Sequence, residues 1–369
     1  MPSAVKQINR DDFFRLYGSE VSYFTAKVRP AFRIKRVPHV ETLATPRVYR
    51  EIIRARTGLQ FIPVVVTPED DTWQDTSDIL DRLEERFPEP ALVPPTPAQR
   101  VAAFLWELYA DEFMILPAMH YRWDFADSIA KARADFASTN GDPVAANKFA
   151  DRMSGVLPGI GVLPETVPAI EAHLAELLDD LERHFAKHPY LLGGRPSIAD
   201  CALMGPFYAH LYLDAAPSRL LRERAPLTCH WIERMNHPDP DENGAWPDGD
   251  ALPDTMRPIL ARIGADASAY VLDTVRAYET WADTRPADVT EPPRATGFHQ
   301  TSLRGVPFGR YTSSYSLWML QRVIDPYRAL SSDDRARVDQ AFAGTGCDAF
   351  FRHEPRHRVE KRGYKLAFA

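Results

Sequence analysis

A small α/β layer followed by an all-helical body is the architecture predicted for this chain of 369 residues. Three observations predict it. Two short apolar runs, FFRLY at 13–17 and IPVVV at 62–66, read as buried strands separated by helical patterns. A proline-rich stretch, PEPALVPPTPAQR from Pro88 to Arg100, then interrupts the chain. Beyond it apolar residues recur at helical spacing to about residue 236, most clearly Ile170, Leu174, Leu177, Leu181 and Phe185.

Taken in order, the first strand is ended by Gly18, and from Ser22 the spacing turns helical, with Phe24, Val28 and Phe32 on one face. Thr45-Pro46 supplies an N-cap and a first-turn proline for a second helix through Val48, Ile52 and Arg56, closed by Gly58. After the second strand and an acidic turn, Ile79, Leu80, Leu83 and Phe87 mark a third helix. Thr96-Pro97 opens the next one. Ser197-Ile-Ala-Asp200 has the spacing of a capping box with Asp in place of Glu, and Pro206 predicts a bend soon after. A second breaker-rich stretch, NHPDPDENGAWPDGDALPD, sets off a tail of helices over 255–282, 314–329 and 333–343 with a hairpin near 296–312. The segments are thus 11–88 (α/β), 97–236 (all-helical) and 237–369 (a mainly helical extension).

Composition narrows the function classes. Hydrophobic residues at 45% and charged residues at 26% describe an ordinary globular chain, and a formal charge of −7 speaks against a nucleic-acid partner. The N-terminal MPSAVKQINRDDFF has no apolar core of a secretory signal, and no stretch reaches the ~18 apolar residues of a membrane span. Three cysteines, Cys201, Cys229 and Cys347, odd in number and far apart, fit a reducing compartment, so a cytoplasmic protein is expected.

Three places in this layout resemble the glutathione transferase superfamily, and its serine-type, bacterial-like members in particular. LYGSEVSYFTAKVR (16–29) is similar to that family's first strand, catalytic loop and first-helix start. IPVVV (62–66) sits where the family has a cis-proline before its third strand, with Asp75-Thr76 in place of its acidic residue and Ser. GGRPSIADCAL (193–203) is similar to the capping motif of its helical domain. The resemblance covers about residues 13–235. It implies a thioredoxin-like N-terminal domain, a helical transferase C-terminal domain, glutathione as co-substrate, an apolar small-molecule electrophile and a homodimer. From the residues alone, the helix mouth at Asp75-Thr76 offers unpaired backbone donors that suit a carboxylate. The resemblance implies that this carboxylate is the γ-glutamyl end of glutathione, that Ile62 pairs with the cysteinyl backbone, and that the Ile62–Pro63 bond is cis.

The family activates the thiol of glutathione by stabilising its thiolate. Lowering a thiol from ~8.5 by about two units takes roughly 2.7 kcal/mol, and one hydrogen bond to a charged group supplies about 1.5–3 kcal/mol. Ser22, in the loop after the first strand, is the candidate for that bond, with Tyr23 and Tyr17 as alternatives. Cysteine-type thiol exchange is excluded at this loop because the first cysteine is Cys201. In WELYADEFMILPAMHYRWDF, Trp106, Tyr109, Phe113, Met119, Tyr121 and Trp123 are candidates for an apolar substrate pocket, though helical core accounts for such residues equally well. A transferase-like chain kept for binding or assembly, without turnover, is the alternative.

Two further motifs are set aside. His353-Glu354-Pro355-Arg356-His357 matches HExxH in letters, but Pro355 opposes the continuous helix that zinc ligation needs, and the neighbouring Arg352, Arg358, Lys361 and Arg362 read as a solvated basic tail. Asp239, Asp241, Asn243 and Asp250 follow a calcium-loop pattern, weakened by Asp in the last position and by Pro240 and Pro247. The expectation is no metal, with calcium there as the alternative.

Overall fold

Two strands entering one small sheet in opposite senses shape the N-terminal layer. β1 (Phe14–Gly18) pairs in parallel with β2 (His39–Leu43) and antiparallel with β3 (Val64–Val66), which pairs antiparallel with β4 (Thr72–Gln74), in the order β2–β1–β3–β4. The crossover from β1 to β2 is α1 (Tyr23–Ile34), capped by Ser22, whose Oγ accepts from the Thr25 N–H. α2 (46–57) opens on Thr45, whose side chain accepts from Val48 N–H, and closes at Gly58, where a φ of 71° suits a residue without Cβ. α3 (Thr76–Arg86) follows β4 and packs on α1. This is the thioredoxin-like arrangement. A computed structural model describes residues 12–239 and 244–369.

β1 starts one residue later than the FFRLY run predicts, and Ile62, expected as the start of the next strand, lies in irregular chain ahead of β3. β2 and β4 are not expected from the sequence. His39–Leu43 is an edge strand of largely exposed residues, so no apolar alternation marks it, and β4 is three residues long inside an acidic turn.

The helical body comprises α4 (97–113), α5 (Ile115–Trp123), α6 (Ala126–Asn140), α7 (Pro143–Ser154), α8 (Val167–Phe185), α9 (198–212), α10 (Ala215–Arg224) and α11 (Pro226–Asn236). The stripe from Ile170 to Leu181 is buried. Ser197 and Asp200 form the expected capping box, with Asp200 Oδ2 accepting from Ser197 N–H at 2.9 Å, and Asp200 Oδ1 also takes Leu191 N–H and Trp231 Nε1. At Pro206 the missing N–H coincides with a shift of α9 from α to π geometry over Phe207–Tyr212.

Residues beyond 237 add α12 (Met256–Asp283), the hairpin of β5 (Ala295–Leu303) and β6 (Val306–Ser313), α13 (Tyr315–Arg328), α14 (Ser332–Phe342) and a second hairpin of β7 (Val359–Arg362) and β8 (Lys365–Phe368). They are not an appendage. One apolar core runs without a break from Phe14 through Trp106 and Leu177 to Tyr270, Leu320 and Leu366. α12 packs along α8, and α13 along α4. A Cβ at Gly159 would lie 1.8 Å from the Tyr311 ring of β6, and one at Gly264 would lie 2.1 Å from the Thr345 carbonyl oxygen, so α12 and the 345–347 loop touch backbone to backbone.

Candidate functional site

A cleft of about 540 Å³ opens between the thioredoxin-like layer and the extension. One wall is the irregular stretch Leu59–Pro63 together with the mouth of α3. The Ile62–Pro63 bond is cis. Neither backbone polar group of Ile62 is hydrogen-bonded among the described residues. Thr76, only 6% exposed, lines the cleft with a hydroxyl that likewise has no partner among the described residues, and the buried Gln74 Oε1 beside it is also unsatisfied. The opposite walls come from α4, through Asp111 and Glu112, and from the extension, through Arg294, Tyr315 and Lys361.

Asp75 is the most constrained residue here. Its φ of 81° and ψ of 130° lie where residues with a Cβ rarely go, at a cost of order 1–3 kcal/mol that surrounding bonds must hold in place. Those bonds exist. Oδ1 accepts from Ser77 N–H at 3.1 Å, while Oδ2 accepts from Lys361 Nζ at 2.8 Å and from the Tyr315 hydroxyl. Burial works against ionisation of Asp75, but Lys361 and the two side-chain hydrogen bonds outweigh it and hold the carboxyl below its ordinary range.

Behind the cleft lies a buried charge cluster joining all three parts of the chain. Lys27 of α1 is fully buried and donates to Glu107 at 2.8 Å, to Asp111 at 2.5 Å and to Ser77 Oγ at 3.2 Å. Arg322 of α13 reaches Glu107 at 3.0 Å and Asp81 of α3 at 2.5 Å. Burial pushes Asp111 up, with Glu107 beside it acting the same way against the pull of Lys27, and its Oδ1 has no partner among the described residues. Glu107 goes the other way: burial is outweighed by Arg322 and Lys27, which hold it low.

Ile62, Pro63, Asp75 and Thr76 thus share one wall of the cleft. Ser22 is half-buried at the start of α1 and is not among the lining residues, whereas Phe24, two positions on, is. Capping uses a lone pair of Ser22 Oγ and leaves its O–H with no acceptor among the described residues. The tyrosines are turned away. Tyr23 is buried and donates to the Ala110 carbonyl, and burial, reinforced by Asp111, keeps its hydroxyl protonated far above the ordinary range. Tyr17 packs in a small separate cluster with Ala44, Ile53, Val64 and Val66.

The six aromatic and sulfur residues proposed for a substrate pocket are core. Trp106, Tyr109, Phe113, Met119, Tyr121 and Trp123 are all buried and none lines the cleft. The physical reason is packing: α12 lies on Tyr109–Phe113, with Tyr270 edge-on to Phe113, Tyr109 is hydrogen-bonded to His173 of α8 at 2.6 Å, α9 and α13 pack on the part of α4 that carries Trp106, and α5 is enclosed by other helices of the helical body. His120 is structural too, held by Asp124 and Glu171. Of the calcium-loop residues, Asp241 and Asn243 fall outside the described residues. Asp250 is already used, its carboxylate accepting from Ala98 and Gln99 N–H at 2.9–3.2 Å, where it caps α4 in place of Thr96. No cluster of potential metal ligands occurs among the described residues. His353 to His357 is not helical.

Residues 16–91 match the family described as glutathione S-transferase, N-terminal domain, and residues 164–234 match glutathione S-transferase, C-terminal domain. The chain belongs to the glutathione transferase superfamily. No curated protein sequence matches it. Solved structures similar in fold include the beta-etherase LigF from Sphingobium sp. strain SYK-6, 18% identical, covering 62% of this chain and 97% of its own at a TM-score of 0.45. A glutathione S-transferase from Methylobacterium radiotolerans in complex with glutathione sulfonate is 21% identical, with 64% and 96% covered and a TM-score of 0.41. One from Rhodospirillum rubrum F11 is 17% identical, with 67% and 92% covered and a TM-score of 0.41.

Part of the cleft is built by the extension. Lys361 does not belong to a solvated tail; it is half-buried against Asp75, whereas Arg352, Arg358 and Arg362 are exposed. A signal for it was present: VEKRGYKLAF has Gly at the first position of a two-residue hairpin loop, and Gly363 takes a φ of 60°. Lys27, Glu107 and Asp111 were also passed over. Lys27 falls three residues after Phe24 on the apolar side of α1, and Glu107 and Asp111 are four apart, which is how buried charge partners reveal themselves on helices. Among the described residues no helix is long and apolar enough to cross a membrane.

Proposed function

We propose that this chain is a thiol-dependent transferase of the glutathione type, seating a glutathione-like peptide thiol along the Ile62–Thr76 wall. The observation that carries the reading is the polar edge of that wall, unsatisfied among the described residues: the backbone N–H and C=O of Ile62 beside the Thr76 hydroxyl at a helix mouth. An extended peptide pairs its own backbone with Ile62, as an added strand does, and a carboxylate on the peptide accepts from Thr76 and the first N–H groups of α3. Ser22 donates its free O–H to the thiolate, supplying about 1.5–3 kcal/mol toward ionisation, and the apolar electrophile occupies the remainder of the cleft near Phe24 and Phe61.

Calorimetric titration with glutathione and its analogues, paired with the ultraviolet absorbance of the bound thiolate as pH is varied, tests this. Thr76→Ala is expected to weaken binding, and Ser22→Ala to raise the pKa of the bound thiol by one to two units while leaving binding nearly intact, an effect of about 1.4–2.7 kcal/mol. A wild-type chain that binds no peptide thiol defeats the proposal. The second reading, binding without turnover, is favoured by the position of Ser22 outside the cleft lining. It predicts thiol binding with an unshifted thiol pKa and no conjugation of a generic electrophile.

A further inference from the structure

We propose that Lys361, carried into the cleft by the β7–β8 hairpin, selects a thiol ligand whose end at the α3 mouth is a carboxylate with no ammonium group beside it. The inference rests on the reading that this cleft seats a peptide thiol.

The carboxylate that could receive a ligand ammonium is already committed. Asp75 gives Oδ1 to Ser77 N–H and Oδ2 to both Lys361 and Tyr315. Displacing Lys361 requires pulling its ammonium from between the faces of Tyr315 and Trp318, 5.0 and 5.7 Å from their ring centres. The hairpin bearing it is tied to β4 by the Tyr364 hydroxyl, which donates to the Thr72 carbonyl at 3.2 Å.

With the pair in place, the one carboxylate of this wall is occupied, and the open acceptors left among the described residues, Gln74 Oε1 and the Ile62 carbonyl oxygen, carry no charge. Lys361 has three N–H groups and Asp75 takes one, so a lining ammonium retains capacity for an anion. Thr76, more than nine-tenths buried, adds a hydroxyl with no partner among the described residues, and α3 adds the first-turn N–H groups that Asp75 does not take. The other lining acids are engaged as well, Asp111 with Lys27, Glu112 with the Ser316 hydroxyl and Glu291 with Lys365 at 2.9 Å. At the rim, Arg294 stacks over Phe61 at 4.0 Å with no carboxylate partner among the described residues, a second place for an anionic group. A carboxylate at the α3 mouth is matched from several directions. An adjacent ammonium meets the like charge of Lys361 at close range, the repulsive element that turns affinity into selectivity.

The test is calorimetric titration of the full chain with glutathione and with glutaryl-cysteinylglycine, which is glutathione lacking only its amino group. The wild-type chain is expected to bind the des-amino thiol about tenfold more tightly or better, and Lys361→Met, which releases Asp75, to reverse the preference. Equal or tighter binding of glutathione by the wild type overturns the selectivity and leaves the thiol site standing. Binding of neither compound brings down the site and the selectivity together. The wild-type comparison decides the matter even where Lys361→Met fails to fold.

Discussion

Replacing Lys27 with Met removes a fully buried ammonium while nearly preserving side-chain volume, and the structure allows the cost to be worked through. Glu107 keeps two partners, Arg322 at 3.0 Å and the Ser77 hydroxyl at 2.7 Å. Asp111 keeps none: its Oδ2 loses Lys27 and its Oδ1 had no partner among the described residues. Breaking a buried pair on one side costs about 3–5 kcal/mol. Taking about 4 kcal/mol and an unfolding entropy of about 2.1 cal/mol/K per residue, the melting temperature falls by about 5 °C if the chain unfolds as one unit. The cost also depends on pH. An acid whose folded pKa lies above its unfolded value binds more protons folded than unfolded, so stability falls as pH rises between the two values. Burial already raises Asp111 above its ordinary range, and losing Lys27 raises it further. The penalty of Lys27→Met measured by urea denaturation is therefore expected to be larger at pH 8 than at pH 5, and adding Asp111→Leu should recover most of it. A pH-independent cost below about 1 kcal/mol, or no recovery in the double variant, refutes the assignment of Asp111 as the stranded charge.

Acid stability follows from His184, whose ring is bonded to Thr255 at 2.8 Å and to the Tyr190 carbonyl at 3.0 Å, and which burial pushes down to about 4. The unfolded side chain takes its proton near ~6.5, so between those values the unfolded state binds more protons and stability drops as pH falls, by up to about 3 kcal/mol. Urea midpoints across that range should be flatter for His184→Gln than for wild type, and an unchanged slope argues against the buried neutral imidazole. At the start of α4, Asp250→Ala should cost about 1–2 kcal/mol in a urea titration through loss of the bonds to Ala98 and Gln99, while calcium leaves the wild-type melting temperature unmoved. A calcium-dependent rise that vanishes in Asp250→Ala would return that residue to a metal site.

The elements most legible in the sequence were those whose cues are local. Thr45-Pro46 with Gly58, Ser197 with Asp200, and the Ile170–Leu181 stripe each carry their caps or their spacing within a few residues, and each stands in the structure as read. The cleft wall at Ile62, Pro63, Asp75 and Thr76 was reachable because its residues come from one β–turn–α stretch. The opposite wall was not, because Tyr315 and Lys361 lie 240 and 286 positions from the Asp75 they bind, and no local pattern joins residues so far apart. The aromatic segment at 106–123 is illegible for the same cause: whether it faces a ligand or a helix depends on where α8, α9, α12 and α13, all distant in sequence, pack. Burial of Lys27 likewise depends on partners 80 and 84 residues away.

Glu107 sits where the ammonium of Lys27 and the guanidinium of Arg322 converge, so a residue of the first α-helix and one from the last third of the chain share a carboxylate between them. A version ending near residue 236 would lose more than a cover. It would leave Glu107 balanced by one cation, bare the flank of α4 that α13 shields, and open the α3 mouth to solvent on the side where Tyr315 and Lys361 now stand. The last third of the molecule therefore acts as a keystone, and trimming it should unsettle the thioredoxin-like layer at the opposite end of the sequence before it frees any binding groove.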